Sequence, residues 1–220
     1  MSMNGHNLRF RSNPKSYLGQ YALVCYTGEG AQKSDINRID GNTLMVQQEF
    51  APSVDFDLVS NKLGYVDVKI MGGTGTYGGT GRYGAPIVGN YIPYLGQKDR
   101  ASDATAANFG RINLSRVTTD YVFTFTFTGC NFVVTREGGD VYVYHEPTAA
   151  TWTTSVAQRY PGATILADKI GPAYDGTHNG GYGCLVRDKI TAGRWWAYIQ
   201  TPTGTKMKPE WLQSVAIDGV

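Results

Sequence analysis

Positions 121–127 read Tyr-Val-Phe-Thr-Phe-Thr-Phe, an alternation of aromatic or apolar side chains with threonine. Period-2 patterning of this kind predicts a strand with one buried face. Similar runs recur along the chain, at 21–26, 43–50, 54–58, 65–71, 87–94, 111–115, 131–135, 141–145, 163–167, 182–187 and 194–201. Helical patterning is scarcer. An Ala-rich stretch at 99–108 has Ser102 or Asp103 as its cap, and 151–160 stops at Pro161. A short helix is expected at 209–213, with Pro209 in its first turn. The first 19 residues are basic and Asn-rich (Asn4, Arg9, Arg11, Asn13, Lys15) and read as a frayed terminus. Many short strands, frequent glycine turns and few helices predict a β-rich α+β domain. The expected architecture is a two-sheet β-sandwich with a few peripheral helices, spanning 1–220 as a single domain.

Composition sharpens this picture without redirecting it. The chain has 220 residues, enough for one sizeable core, with Gly 28, Tyr 15 and only 17% charged residues. Twenty basic against 18 acidic residues call for neither nucleic acid nor an anionic membrane as partner. Residues 1–20 contain no apolar signal core, and no run of 18 apolar residues predicts a membrane span. The cysteines, Cys25, Cys130 and Cys184, are odd in number and without paired spacing, which argues against a disulfide scaffold. Cys25 and Cys184 lie in apolar strands and read as core. The expected setting is a cytoplasm, where thiols stay reduced, which is compatible with direct delivery into another cell.

One glycine-rich stretch, 72–84, contains G-x-G-x-x-G twice, at Gly73/Gly75/Gly78 and Gly79/Gly81/Gly84. A dinucleotide site needs a helix to open there, and the following Ala85-Pro86-Ile87-Val88-Gly89 is not helical. The plainer reading is a mobile surface loop, and the sharper one a substrate-contacting loop with Tyr77, Arg82 and Tyr83 as contact side chains. No cofactor is implied. No metal is implied either, because His6, His145 and His178 are scattered and no C-x-x-C or H-x-x-x-H spacing occurs.

Cys130 follows the glycine turn at Gly129, and His145 stands fifteen positions later. Gly138-Gly139 signals a hairpin. If Arg136 pairs with Val141 across it, Phe132 lies opposite His145. Position 130 shares a face with Phe132, so Cys130 and His145 become diagonal neighbours, roughly 7–8 Å apart at Cα. A thiol and an imidazole so placed form a nucleophile and its base. Backbone N–H groups around Gly129, Cys130 and Asn131 offer an oxyanion site. A one-residue slip would put the two on opposite faces. The plainer reading is a buried cysteine and a surface histidine. His178, in a loop, is a rival base. Trp195-Trp196 is either an exposed aromatic contact pair or core.

The segment from Thr124 to Pro147 resembles the active-site region of glutamine-deamidating bacterial toxins, the group of the cytotoxic necrotizing factors and Burkholderia lethal factor. That group carries Leu-Ser-Gly-Cys with a catalytic histidine on a following strand; this chain has Phe127-Thr128-Gly129-Cys130, with Phe for Leu and Thr for Ser. The Cys–His spacing is that of the necrotizing factors. The lethal factor and the chemotaxis receptor deamidases place a threonine six positions before the cysteine, where this chain has Thr124. The resemblance implies a β-sandwich flanked by helices. It also implies Cys130 as nucleophile, His145 as base and Thr124 as the group orienting the imidazole, through its hydroxyl or its carbonyl. The implied substrate is a protein carrying a target glutamine. The Cys–His pair alone serves equally for a protease or a transglutaminase, and a non-catalytic binding module stays open beside these.

Overall fold

A computed structural model describes residues 5–25, 53–60, 64–71, 86–92, 110–124, 126–127, 130–147, 161–167, 181–202 and 208–220. The expected strand at 43–50, the expected helices at 99–108 and 151–160, the expected loop at 72–84 and His178 lie outside them.

Among the described residues, twelve strands form two sheets: β1 (Leu23–Val24), β2 (Ser53–Ser60), β3 (Val66–Met71), β4 (Ile87–Ile92), β5 (Gly110–Asn113), β6 (Tyr121–Thr124), β7 (Cys130–Glu137), β8 (Asp140–Pro147), β9 (Thr164–Ala167), β10 (Tyr182–Arg187), β11 (Trp195–Pro202) and β12 (Pro209–Ile217). The large sheet runs β1-β3-β2-β4-β6-β10-β11-β12 and the small one β5-β8-β7-β9. All pairings are antiparallel except β1 with β3 and β4 with β6. The β-rich α+β sandwich expected from the strand pattern is therefore the observed fold.

Alternation along the strands builds two cores on the two faces of the large sheet. Val122, Leu185, Trp195, Ala197 and Ile199 meet Ile112, Phe132, Val134, Val141 and Val143 of the small sheet. The residues between them in sequence, among them Tyr121, Phe123, Cys184, Val186 and Tyr198, pack on the opposite face with Phe10, Tyr17 and Leu18. Those last three belong to two helices, α1 (Gly5–Ser12) and α2 (Pro14–Gln20). The order of layers is thus helices, large sheet, small sheet. Trp195 is buried between the sheets, while Trp196 packs against the helix-side core and donates its indole N–H to Asp188 at 2.9 Å. The pair is engaged in packing.

Two expectations are corrected. From Gly5 onward the basic N-terminal stretch is not frayed. Asn13 caps α2 by accepting from the Ser16 N–H at 3.0 Å, Pro14 occupies the first turn, and Phe10, Tyr17 and Leu18 are buried. Residues 209–213 are not a helix but the start of β12, which pairs antiparallel with β11. Trp211, Val215 and Ile217 face the inter-sheet core and Leu212 the other, so a period of two governs the segment. Tertiary pairing overrides the local helix signal of Pro209.

Candidate active site

Thr124 ends β6, a central strand of the large sheet, and His145 lies on β8 of the small sheet. Both side chains are buried, at 0% and 1% exposure, so their polar atoms must be satisfied within the protein. Thr124 Oγ1 lies 2.8 Å from His145 Nδ1 and 3.0 Å from the Ile92 carbonyl oxygen. A hydroxyl has one proton to donate, and here it goes to the carbonyl. Thr124 Oγ1 therefore accepts from Nδ1–H, and the neutral imidazole carries its basic lone pair on Nε2. Ile92 stands beside Thr124 because β4 and β6 pair in parallel with these two residues in register. A three-part chain of carbonyl, hydroxyl and imidazole thus links two strands of one sheet to a strand of the other.

The β7–β8 hairpin carries the register that Gly138-Gly139 implies. Gly138 takes a positive φ of 62°, Arg136 pairs with Val141, Phe132 with His145 and Cys130 with Pro147. Position 130 accordingly stands two residues along from the Phe132–His145 pair, with the same parity. Asn131 pairs with Glu146. The side chains of Cys130 and Asn131 lie outside the described residues, as do Gly129, Tyr77, Arg82 and Tyr83. Of the expected site residues, Thr124 and His145 are brought into direct contact, and Cys130 is placed by register.

Sequence reasoning misses two parts of this surrounding, the Ile92 carbonyl and the Phe127 ring. The Ile92 carbonyl enters through a parallel pairing that no local pattern signals. Phe127, bonded through its backbone to Gly181, lays its ring 4.4 Å from the imidazole at 45°. Phe132 adds a second ring, 5.9 Å from that of Phe127 and tilted by 65°. These rings keep the histidine in a low-dielectric setting, where its hydrogen bond to Thr124 is strengthened. The other two cysteines have a different character. Burial pushes the thiols of Cys25 and Cys184 far up, so neither is a nucleophile at neutral pH.

Among the described residues, no group of three or more His, Cys, Asp or Glu stands together to hold a metal ion, and no helix is long and apolar enough to cross a membrane. No protein-family model and no curated protein matches the chain.

Proposed function

We propose that the protein is a thiol-dependent glutamine deamidase acting on a protein substrate, of the bacterial toxin or effector kind. The observation that carries this reading is the Thr124–His145 hydrogen bond at 2.8 Å, with Thr124 itself anchored on the Ile92 carbonyl. It leaves Nε2 as the basic nitrogen of the neutral ring, which a general base requires. The β7–β8 register supports the reading further, by setting Cys130 diagonally from His145. So does the resemblance of residues 124–147 to the necrotizing factor and lethal factor deamidases.

In this mechanism His145 takes the proton of the Cys130 thiol, and the thiolate attacks the side-chain amide carbon of a glutamine. Backbone N–H groups at Gly129 to Asn131 stabilise the tetrahedral oxyanion. The imidazolium returns its proton to the departing nitrogen, ammonia leaves and a thioester remains. Water, deprotonated by His145, opens the thioester, giving glutamate and the free thiol. Throughout, Thr124 keeps the ring in one orientation and stabilises its charged form. The 72–84 loop, with Tyr77, Arg82 and Tyr83, contacts the substrate protein. Without a cofactor the cycle is closed: water enters and ammonia leaves.

The test is mass spectrometry of host-cell lysate proteins incubated with wild type or Cys130→Ser. Deamidation adds about 1 Da at one glutamine, as nitrogen is exchanged for oxygen in thioester hydrolysis. Wild type is expected to produce that gain and Cys130→Ser to lose it, with thermal stability nearly unchanged. New cleavage sites or cross-links with wild type would instead assign a protease or transglutaminase. An active Cys130→Ser protein would remove the thiol mechanism altogether.

A further inference from the structure

We propose that Gly183 is a positioning residue for His145: its missing side chain is the seat on which the aromatic wall of the imidazole rests. The inference builds on the reading of His145 as the base. Gly183 lies inside β10, in a sheet interior where glycine weakens a strand relative to alanine. Glycine at such a place marks close approach of another group. Here that group is identifiable. A Cβ built at position 183 would fall 2.9 Å from Cδ2 and 3.0 Å from Cγ of Phe132, and 3.1 Å from Cε2 of Phe127. Both rings therefore lie directly on the bare backbone of β10.

The two rings are the ones that border the histidine. Phe132 is the cross-strand partner of His145, and the Phe127 ring lies 4.4 Å from the imidazole. Position 183 is also close to the other half of the pair. Cys184 pairs with Phe123 in β6, so Gly183 falls one step along, at the level of Thr124. A methyl group at 183 would lift the Phe132 ring away from the large sheet. The small sheet would carry His145 with it, while Thr124 stays fixed to Ile92. The bond between Thr124 and His145, which spans the two sheets, is what lengthens.

The experiment compares wild type, Gly183→Ala and the double variant Gly183→Ala/Phe132→Leu, each labelled with 15N-histidine. The His145 Nδ1 proton resonance is expected to move or broaden in Gly183→Ala and to return to its wild-type position when the smaller leucine makes room. Deamidation should follow: kcat falls about tenfold in Gly183→Ala with KM within about twofold, and the double variant recovers it, as expected for a displacement of a few tenths of an ångström. An unchanged resonance in Gly183→Ala overturns the inference. So does a double variant that folds yet keeps the displaced resonance, because space at 183 would then not be what sets the ring. Should Gly183→Ala fail to fold, the double variant alone decides on the same resonance. If wild type shows no deamidation, the functional reading fails, whereas the positioning of His145 is still judged from the resonance.

Discussion

A threonine hydroxyl owns a single proton, and at Thr124 the placement of that proton decides the chemistry of His145. Thr124→Val keeps the shape but removes the acceptor, leaving the Nδ1–H buried without its oxygen at a cost of about 1–3 kcal/mol. Deamidation by Thr124→Val is expected to fall by about ten- to a hundredfold, the range for removal of a group that orients a ligating or basic histidine. Thr124→Ser should retain most activity, because the hydroxyl is kept. Steady-state kinetics of the two variants checks this, and equal losses in both would mean that the methyl group, not the hydroxyl, matters. At this scale the letters are informative where contacts are local. The spacing of Cys130 and His145 and the turn at Gly138-Gly139 were enough to place position 130 relative to His145. The Ile92 anchor of Thr124 and the seat at Gly183 were not legible, since each depends on which strands come together.

At the scale of elements, α1 is tied to β2 by side chains rather than by its own helical propensity. The buried Asn7 donates to Asp57 at 2.7 Å and accepts from the Leu58 N–H at 2.9 Å. His6 bridges the Tyr17 hydroxyl at 2.8 Å and the Ser60 hydroxyl at 2.7 Å. Burial, and then the nearby Arg9, hold the His6 imidazole below its ordinary pKa of 6.5. The unfolded chain therefore takes up this proton more readily than the folded one. The stability that His6 contributes is fully present above about pH 6.5 and is lost as pH falls from there through the lower folded-state value. Thermal melts between pH 8 and pH 5 should decline more steeply for wild type than for His6→Gln, and parallel curves would exclude this role. The α1–α2 pair shows why composition misleads. A basic, Asn-rich stretch reads as solvated, yet Asn13-Pro14 is a helix start, and Phe10 of α1 with Tyr17 and Leu18 of α2 forms the buried apolar face of the pair. In β12 the opposite error arises, because Pro209 fits a helix start while the alternation beyond it belongs to a strand.

At the scale of the whole molecule, the sandwich was legible because alternating strands need two faces to bury, and the strand count needs two sheets. The order of strands was not, because parallel neighbours such as β4 and β6 are joined by long stretches of chain. One buried side chain holds distant parts of this topology together. Gln200 of β11 donates to the carbonyls of Leu18 and Tyr21 and accepts from the Leu23 N–H at 3.0 Å. Gln200→Leu would leave these backbone groups buried and unpaired, at about 1–3 kcal/mol for each group. Urea unfolding should show a lower midpoint, and a midpoint within error of wild type would show that water replaces the amide.

The Gln200 amide has a further meaning in time. The amide group that fastens the Leu18–Leu23 segment is added to the growing chain 177 residues after Leu23 itself. At roughly 5–20 residues per second, that interval is on the order of ten to thirty seconds. During it, the end of α2 and the start of β1 have no access to this fastening. This one clasp is therefore a late event of synthesis, and a ribosome stalled before position 200 would hold a chain in which α1 can already meet β2 while the Leu18–Leu23 segment lacks its amide fastening.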